Sequence, residues 1–412
     1  MRFPDAPGAR RTTLVLVHLA MLLGACGESA VPVPAVAVRD SAGIRILEHS
    51  AEALAQLPEW QVAAEPSVSI GGSPDEAVEL NEVIAGYLGP DGGIVFGDGP
   101  SREIRIHAPD GSHLRTLGRH GAGPGEFSTI TSVWGRGDST AVYDISAKRL
   151  TVAPNDGSPP RIATLRHSGL LTSLQGSADG RLVTRRLDTD ALTAVGAAST
   201  RVPELVLVFS PDGNSTDTIQ SIPGPALYLP PESPGWSGPA PVGLGPESQL
   251  LVMGDSIVVG TNESYELVTY DLAGAPVRIV RIAMAGRPIE KRDVELARQD
   301  AWEEFQPRSG VMPEEIASQY RSFLDQQRYA EQLPFYETLA VDLAGNLWVG
   351  DYARPGETEE RFTVFAGDGS LVARVRLPPG LHFLAAGREA ILGLWRDPDG
   401  VEQLRVYPFA RE

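Results

Sequence analysis

The chain has 412 residues, 42% of them hydrophobic and 21% charged, with 44 glycines, 34 prolines and one cysteine. That apolar fraction supplies a core and excludes a disordered chain, while the glycine and proline content calls for many turns. A formal charge of −18 excludes a nucleic-acid binder and argues against electrostatic adhesion to anionic headgroups.

The first segment, residues 1–25, carries Arg2, Arg10 and Arg11 ahead of the apolar run LVLVHLAMLLGA, Leu14 to Ala25. The run is too short to span a bilayer and reads as an export signal. It ends in LLGAC, Leu22 to Cys26, and this resembles the lipobox of bacterial lipoproteins. The resemblance implies cleavage before Cys26, lipidation of its sulfur, and anchoring in the cell envelope at the outer membrane or its periplasmic face, since Gly27 and not Asp follows. Cys26 is the sole cysteine, and an exported protein with one thiol needs a use for it. Acyl chains contribute about 0.8 kcal/mol per buried methylene, so two or three hold a protein on a membrane without a spanning helix. Residues 26–58 are predicted to be the lipidated tether, because GESAVPVPAVAV, Gly27 to Val38, shows no alternation.

The remainder, 59–412, repeats one phrase. Gly89 to Gly118 and Gly135 to Leu165 both run turn, short apolar strand ending in Asp, basic loop, alternating strand, Asx-Gly turn and final strand. The phrase returns at Ser177–Ile222, Gly245–Ile282, Asp342–Leu377 and Ala385–Phe409. Asp110-Gly111, Asp156-Gly157, Asp212-Gly213, Asp368-Gly369 and Asp399-Gly400 supply the positive φ of tight hairpins. Such units predict an all-β fold, a six-bladed β-propeller of four-stranded antiparallel blades. The last unit has three strands, so a strand from Trp60 to Gly72 is expected to complete it and close the ring.

Between the first two units lies LGRHGAGPGEF, Leu117 to Phe127. A strand follows it, not a helix, which excludes a phosphate cradle. It reads as a crossover whose Gly121, Gly123 and Gly125 allow a tight backbone and whose Phe127 plugs the gap between units. This phrase resembles the linker of NHL-repeat propellers and of bacterial six-bladed β-propeller lipoproteins, within the TolB-like propeller class. Asp98, Asp144 and Asp351 recur at one place in their units and are expected to cap turns through backbone N–H groups.

Two segments break the repeat. Residues 286–334 predict an inserted helical hairpin, with Val294, Ala297, Ala301 and Phe305 on one face and Ile316, Tyr320, Phe323 and Leu324 on another. Residues 223–247 form a proline-dense loop whose Tyr228 and Trp236 are candidate binding aromatics. His107, His113 and His120 fall on a strand, a turn and the crossover, and are not expected to converge on a metal. No nucleophile or metalloprotease motif occurs. The sequence therefore predicts a lipid-anchored binding or assembly module for a protein, peptide or glycan partner, with no resident cofactor. The alternative is a lyase or hydrolase that holds a divalent cation in an acidic central channel; separately, the Asp188-Thr-Asp190 pair is a candidate to touch a cation.

Overall fold

The computed structural model describes residues 36–72, 80, 82–169, 171–231, 238–306, 312–397 and 400–411. Cys26, Trp236 and Asp399 lie outside these residues. From residue 82 onward the strands fall into consecutive antiparallel units. Unit I holds Val83–Leu88, Ile94–Asp98, Glu103–His107 and His113–Leu117, and unit II holds Ile130–Arg136, Ser139–Asp144, Arg149–Pro154 and Arg161–Thr164. Unit III runs Thr172–Gly176, Leu182–Leu187, Thr200–Phe209 and Thr216–Tyr228, with Ala240–Pro241 added at its edge. Unit IV is Gln249–Met253, Ser256–Gly260, Glu266–Asp271 and Pro276–Ala283. Unit V is Tyr336–Val341, Leu347–Asp351, Arg361–Phe365 and Leu371–Arg376. Unit VI is Leu381–Ala386, Ala390–Arg396 and Glu402–Ala410.

The second strand of unit I, IVFGD, is apolar up to its closing Asp98, and all five of its residues are buried. A strand covered on both faces shows this pattern, whereas a half-exposed strand alternates. Neighbouring units supply the two covers. The first strand of each unit touches the first strands of the units before and after it, and that of unit VI touches that of unit I.

Turn chemistry follows the sequence. Gly111 and Gly369 have φ of +86° and +91°, and Asp110 and Asp368 accept the Ser112 and Ser370 N–H groups at 2.9 and 3.0 Å. Phe127 is buried between Val95, Ile104 and Ile106 of unit I and Ile130, Val133 and Val142 of unit II. Beside it, Glu126 accepts the Gly123 N–H at 2.8 Å and pairs with Arg119 at 2.7 Å, holding the glycine loop closed.

The segment ahead of unit I departs from expectation. Residues 36–58 do not continue a tether: Val36–Ser41 and Ile44–Ser50 form a hairpin whose second strand lies parallel to Pro276–Ala283 of unit IV. Its alternation, with Ile46, Leu47 and His49 buried, was hidden among the Val and Ala residues before it. The compact unit accordingly begins at Ala35. Helix α1, Ala51–Ala55, follows, capped by the Ser50 hydroxyl on the Ala53 N–H. Strand Glu59–Val62 then pairs in parallel with Leu371–Arg376 of unit V and antiparallel with the end of unit VI. Val68–Ile70 adds a fourth strand to unit VI, with Ile70 opposite Leu404 and Val68 opposite Val406.

Helix α2, Thr189–Thr193, lies within unit III and is capped by Asp188, whose carboxylate accepts the Asp190 and Ala191 N–H groups. The insertion contains helices α3, Lys291–Phe305, and α4, Glu314–Gln326, closed at its base by Arg287–Pro288 paired with Gln332–Leu333. Ala317, Phe323 and Leu324 are buried, whereas Ile316 and Phe305 are exposed. The inward face of α4 is thus rotated from the one expected, because small Ala317 allows close approach. On α3, the buried residue is Asp293, paired with Arg354 of unit V at 2.8 Å. Arg354→Ala leaves that carboxylate buried and unpaired and should cost about 3 kcal/mol in denaturant unfolding. Phe127→Ala should cost a similar ~3 kcal/mol by opening the junction of units I and II; a loss below about 1 kcal/mol for either variant contradicts the packing described.

Candidate functional site: a cavity between units IV and V

A cavity of about 470 Å³ opens between units IV and V. Its apolar wall comes from Leu54 of α1, Leu57, Met284, Phe335 and Val375. Its polar wall holds Arg287, Arg361, Arg374, Arg376, Asp351 and Glu59. Four separate stretches of chain meet here: α1 with the strand after it, the exit from unit IV, the entry to unit V, and the outer strands of unit V.

The charges are largely matched in pairs. Arg374 donates to Asp351 at 2.6 Å and to the Thr363 hydroxyl at 2.8 Å. Arg361 pairs with Glu359 at 2.5 Å, and Arg376 lies 3.2 Å from Glu59 and 3.5 Å from Glu359. Arg287 differs. Its guanidinium donates to the carbonyls of Pro334 and Tyr352, both at 2.8 Å, and among the described residues no carboxylate stands within ion-pair distance of it. It is fixed by neutral acceptors and makes no direct ion pair, although its charge is felt by Asp351 and Glu337, and this leaves its guanidinium open to an incoming anion. Tyr265 lines the buried end of the cavity, edge-on to Tyr336 at 5.4 Å, and burial pushes its phenol well above the ordinary range, so it remains a proton donor. Burial also raises Asp351, against the pull of Arg374.

Asp351 therefore corrects the reading of three equivalent turn caps. Asp98 accepts the Ser101 N–H at 3.2 Å, and Asp144 accepts those of Ser128, Thr129 and Ala147 at 2.7, 3.3 and 3.0 Å. Asp351 makes its bond to Arg374 instead, because the next strand starts only at Arg361 and the turn in between, closed by the Glu357 N–H on the Arg354 carbonyl, lies beyond its reach in sequence. Tyr228 is also corrected. It is fully buried, its hydroxyl accepts the Arg328 N–H at 3.1 Å, and the Arg328 guanidinium lies 5.1 Å from its ring. It anchors the insertion and presents no binding surface. The strand Thr216–Tyr228 runs through the start of the proline-dense segment, tolerating Pro223 and Pro225 near the sheet's edge.

Gly121, Gly123 and Gly125 stay in the crossover, far in sequence from the cavity, where Gly125 has φ +75°. His107 and His113 face each other across two strands, with ring centroids 5.2 Å apart. Among the described residues no three His, Cys, Asp or Glu side chains are grouped to hold a metal ion. Asp188 spends its carboxylate on the α2 cap. Sequence reasoning missed Arg287, Arg374 and Tyr265; Arg287 opens a two-residue strand, Arg374 lies within Leu371–Arg376 and Tyr265 just precedes Glu266–Asp271, and no local motif marks the far segment each meets.

One titrating group stands near the cavity. Glu337, on the first strand of unit V, is reached by solvent yet crowded in a concave setting. Burial pushes its carboxyl up to about 7, with Glu360 and Asp351 adding and the Ala353 N–H and Arg287 opposing. The native state therefore holds a proton that the unfolded chain releases near 4.5. That contribution is complete below the unfolded value and is lost as pH rises through the native one. Between pH 5 and 8 the wild type should lose melting temperature relative to Glu337→Gln, which does not titrate; a pH-independent difference refutes the shift. Tyr228→Phe should cost about 1 kcal/mol, the worth of its hydrogen bond, and leave ligand binding unchanged.

No family model matches the chain, and no curated protein matches it. Solved structures do. A member of the DUF4221 family from Bacteroides vulgatus aligns at 11% identity with a TM-score of 0.50, over 86% of this chain and 99% of that one. The WD40 β-propeller domain of Doa1 aligns at 12% identity and TM-score 0.39, over 85% of this chain and 98% of that one. A gluconolactonase from Xanthomonas campestris aligns at 12% identity and TM-score 0.41, over 81% and 87%. At these identities the likeness is one of fold. Among the described residues no helix is long and apolar enough to cross a membrane. With its consecutive four-stranded antiparallel sheets, the chain is of the β-propeller class.

Proposed function

We propose that this protein is a six-bladed propeller, tethered to the bacterial envelope through lipid on Cys26, that acts as a binding module for an anionic protein, peptide or glycan partner. Support for six blades comes from the chain of contacts among first strands, which returns from unit VI to unit I, and from Val68–Ile70 on the open edge of unit VI. Support for the tether is the LLGAC motif, which ends in the chain's single cysteine. The observation that carries the binding reading is Arg287, a cation held by two carbonyls on the wall of a cavity half apolar and half polar. In a chain of charge −18, a guanidinium that makes no ion pair among the described residues and stands beside apolar surface is a local exception that selects negative partners.

The test is an array of acidic and neutral peptides and of sialylated and neutral glycans, probed with the detergent-solubilised full chain. Acidic members should retain the protein, and Arg287→Gln should remove at least half of that signal. An array with no acid-dependent signal, or a signal that Arg287→Gln leaves intact, sinks the reading.

A further inference from the structure

Resting on that binding reading, we infer that the cavity captures the carboxyl end of a peptide chain whose last side chain is apolar. Each wall satisfies a different part of such a ligand. A chain-end carboxylate has two oxygens and a full charge, and Arg287, already oriented by Pro334 and Tyr352, supplies N–H donors and the matching charge. The last side chain has an apolar surface to cover, formed by Leu54, Leu57, Met284 and Phe335. A peptide also carries backbone N–H groups upstream of its carboxylate, and these need acceptors. Asp351 and Glu59 stand in the same cavity and are carboxylates.

Two other ligand chemistries fit less well. A fatty acid matches Arg287 and the apolar wall but has no N–H group to offer the acceptor capacity that Asp351 and Glu59 keep beside their arginine partners. An inorganic anion matches Arg287 alone and leaves the apolar wall wet. The cavity is of the size to hold the last two or three residues of a chain, at about 470 Å³ against the ~300–1,000 Å³ of ordinary ligand sites. Its rim is open: Glu59, Met284, Arg361 and Arg376 are exposed, so an extended chain can enter with its body outside.

The experiment titrates the full chain, by calorimetry, with acetyl-Ala-Ala-Leu as the free acid, with the same peptide as its C-terminal amide, and with laurate. The free acid should bind about tenfold more tightly than the amide, the difference expected of one charged hydrogen-bonded contact. Arg287→Gln should bring acid and amide to within about twofold of each other. Met284→Glu, at an exposed position that does not endanger folding, should weaken the free acid by placing a like charge on the rim and so decides the matter if Arg287→Gln fails to fold. Equal affinity for acid and amide overturns the inference, as does laurate binding more tightly than the free acid. If neither peptide binds while acidic array members still do, chain-end capture falls and the broader binding reading stands. If neither peptide binds and the array is silent, both fall.

Discussion

Unit VI ends the chain one strand short, and the molecule depends on how that edge is covered. An exposed strand edge presents unpaired N–H and C=O groups and invites pairing with another chain. Here Val68–Ile70 takes the place, pairing with strand Glu402–Ala410 across more than three hundred positions of sequence. Trp60 secures the same junction from the side: it is buried, stacked on Phe409 at 5.3 Å and edge-on to Trp348 at 5.9 Å, with the Arg411 guanidinium 4.8 Å from its ring. Glu59–Val62 meanwhile pairs with both unit V and unit VI, so the segment joins two sheets that would otherwise meet only by packing. Contacts this distant must await the whole chain, and they make this a slow-folding topology.

The cavity inherits its position from that arrangement. To reach unit VI, the chain leaves its hairpin on unit IV, makes α1, and crosses to unit V. The crossing brings Leu54, Leu57 and Glu59 to the cavity wall on its way from unit IV to unit V. The insertion contributes from the other side, since Arg287 stands at its base and Arg354 ties α3 to unit V. Arg287 can bond two carbonyls because the strand ends around Pro334 and Tyr352 leave them free of the ladder.

Much of the repeat was legible in the sequence, because strand period, Asx-Gly turns and terminal aspartates are local signals. Asp110-Gly111 and Phe127 did what their neighbours in sequence implied. The misreadings have a common cause. Residues 36–50 begin within the proline-, alanine- and valine-rich stretch Gly27 to Val38, and their pairing is with unit IV, so nothing nearby announces it. Asp351 shares its local phrase with Asp98 and Asp144, but a longer connection after it frees the carboxylate for Arg374. Tyr228 sits in a loop-like composition and is buried by an insertion roughly a hundred residues later. Glu126 was passed over because its role, accepting the Gly123 N–H, is visible only once the loop has its shape. Local phrases place strands and turns; they do not say which distant segment covers them.

The same distinction explains why net charge and site charge have opposite sign. The acidic balance is a property of the solvated surface, where most side chains meet water and contribute to solubility. The cavity is made where segments from far apart in sequence converge, and there each arginine is judged by its own neighbours. Three of the four are matched by Asp351, Glu59 and Glu359. For Arg287 the fold provides carbonyl dipoles instead, which orient a guanidinium without neutralising it. A carboxylate from the protein in that place would have filled the site. Two carbonyls leave it oriented and charged, the condition in which a cation can recognise an anion from outside.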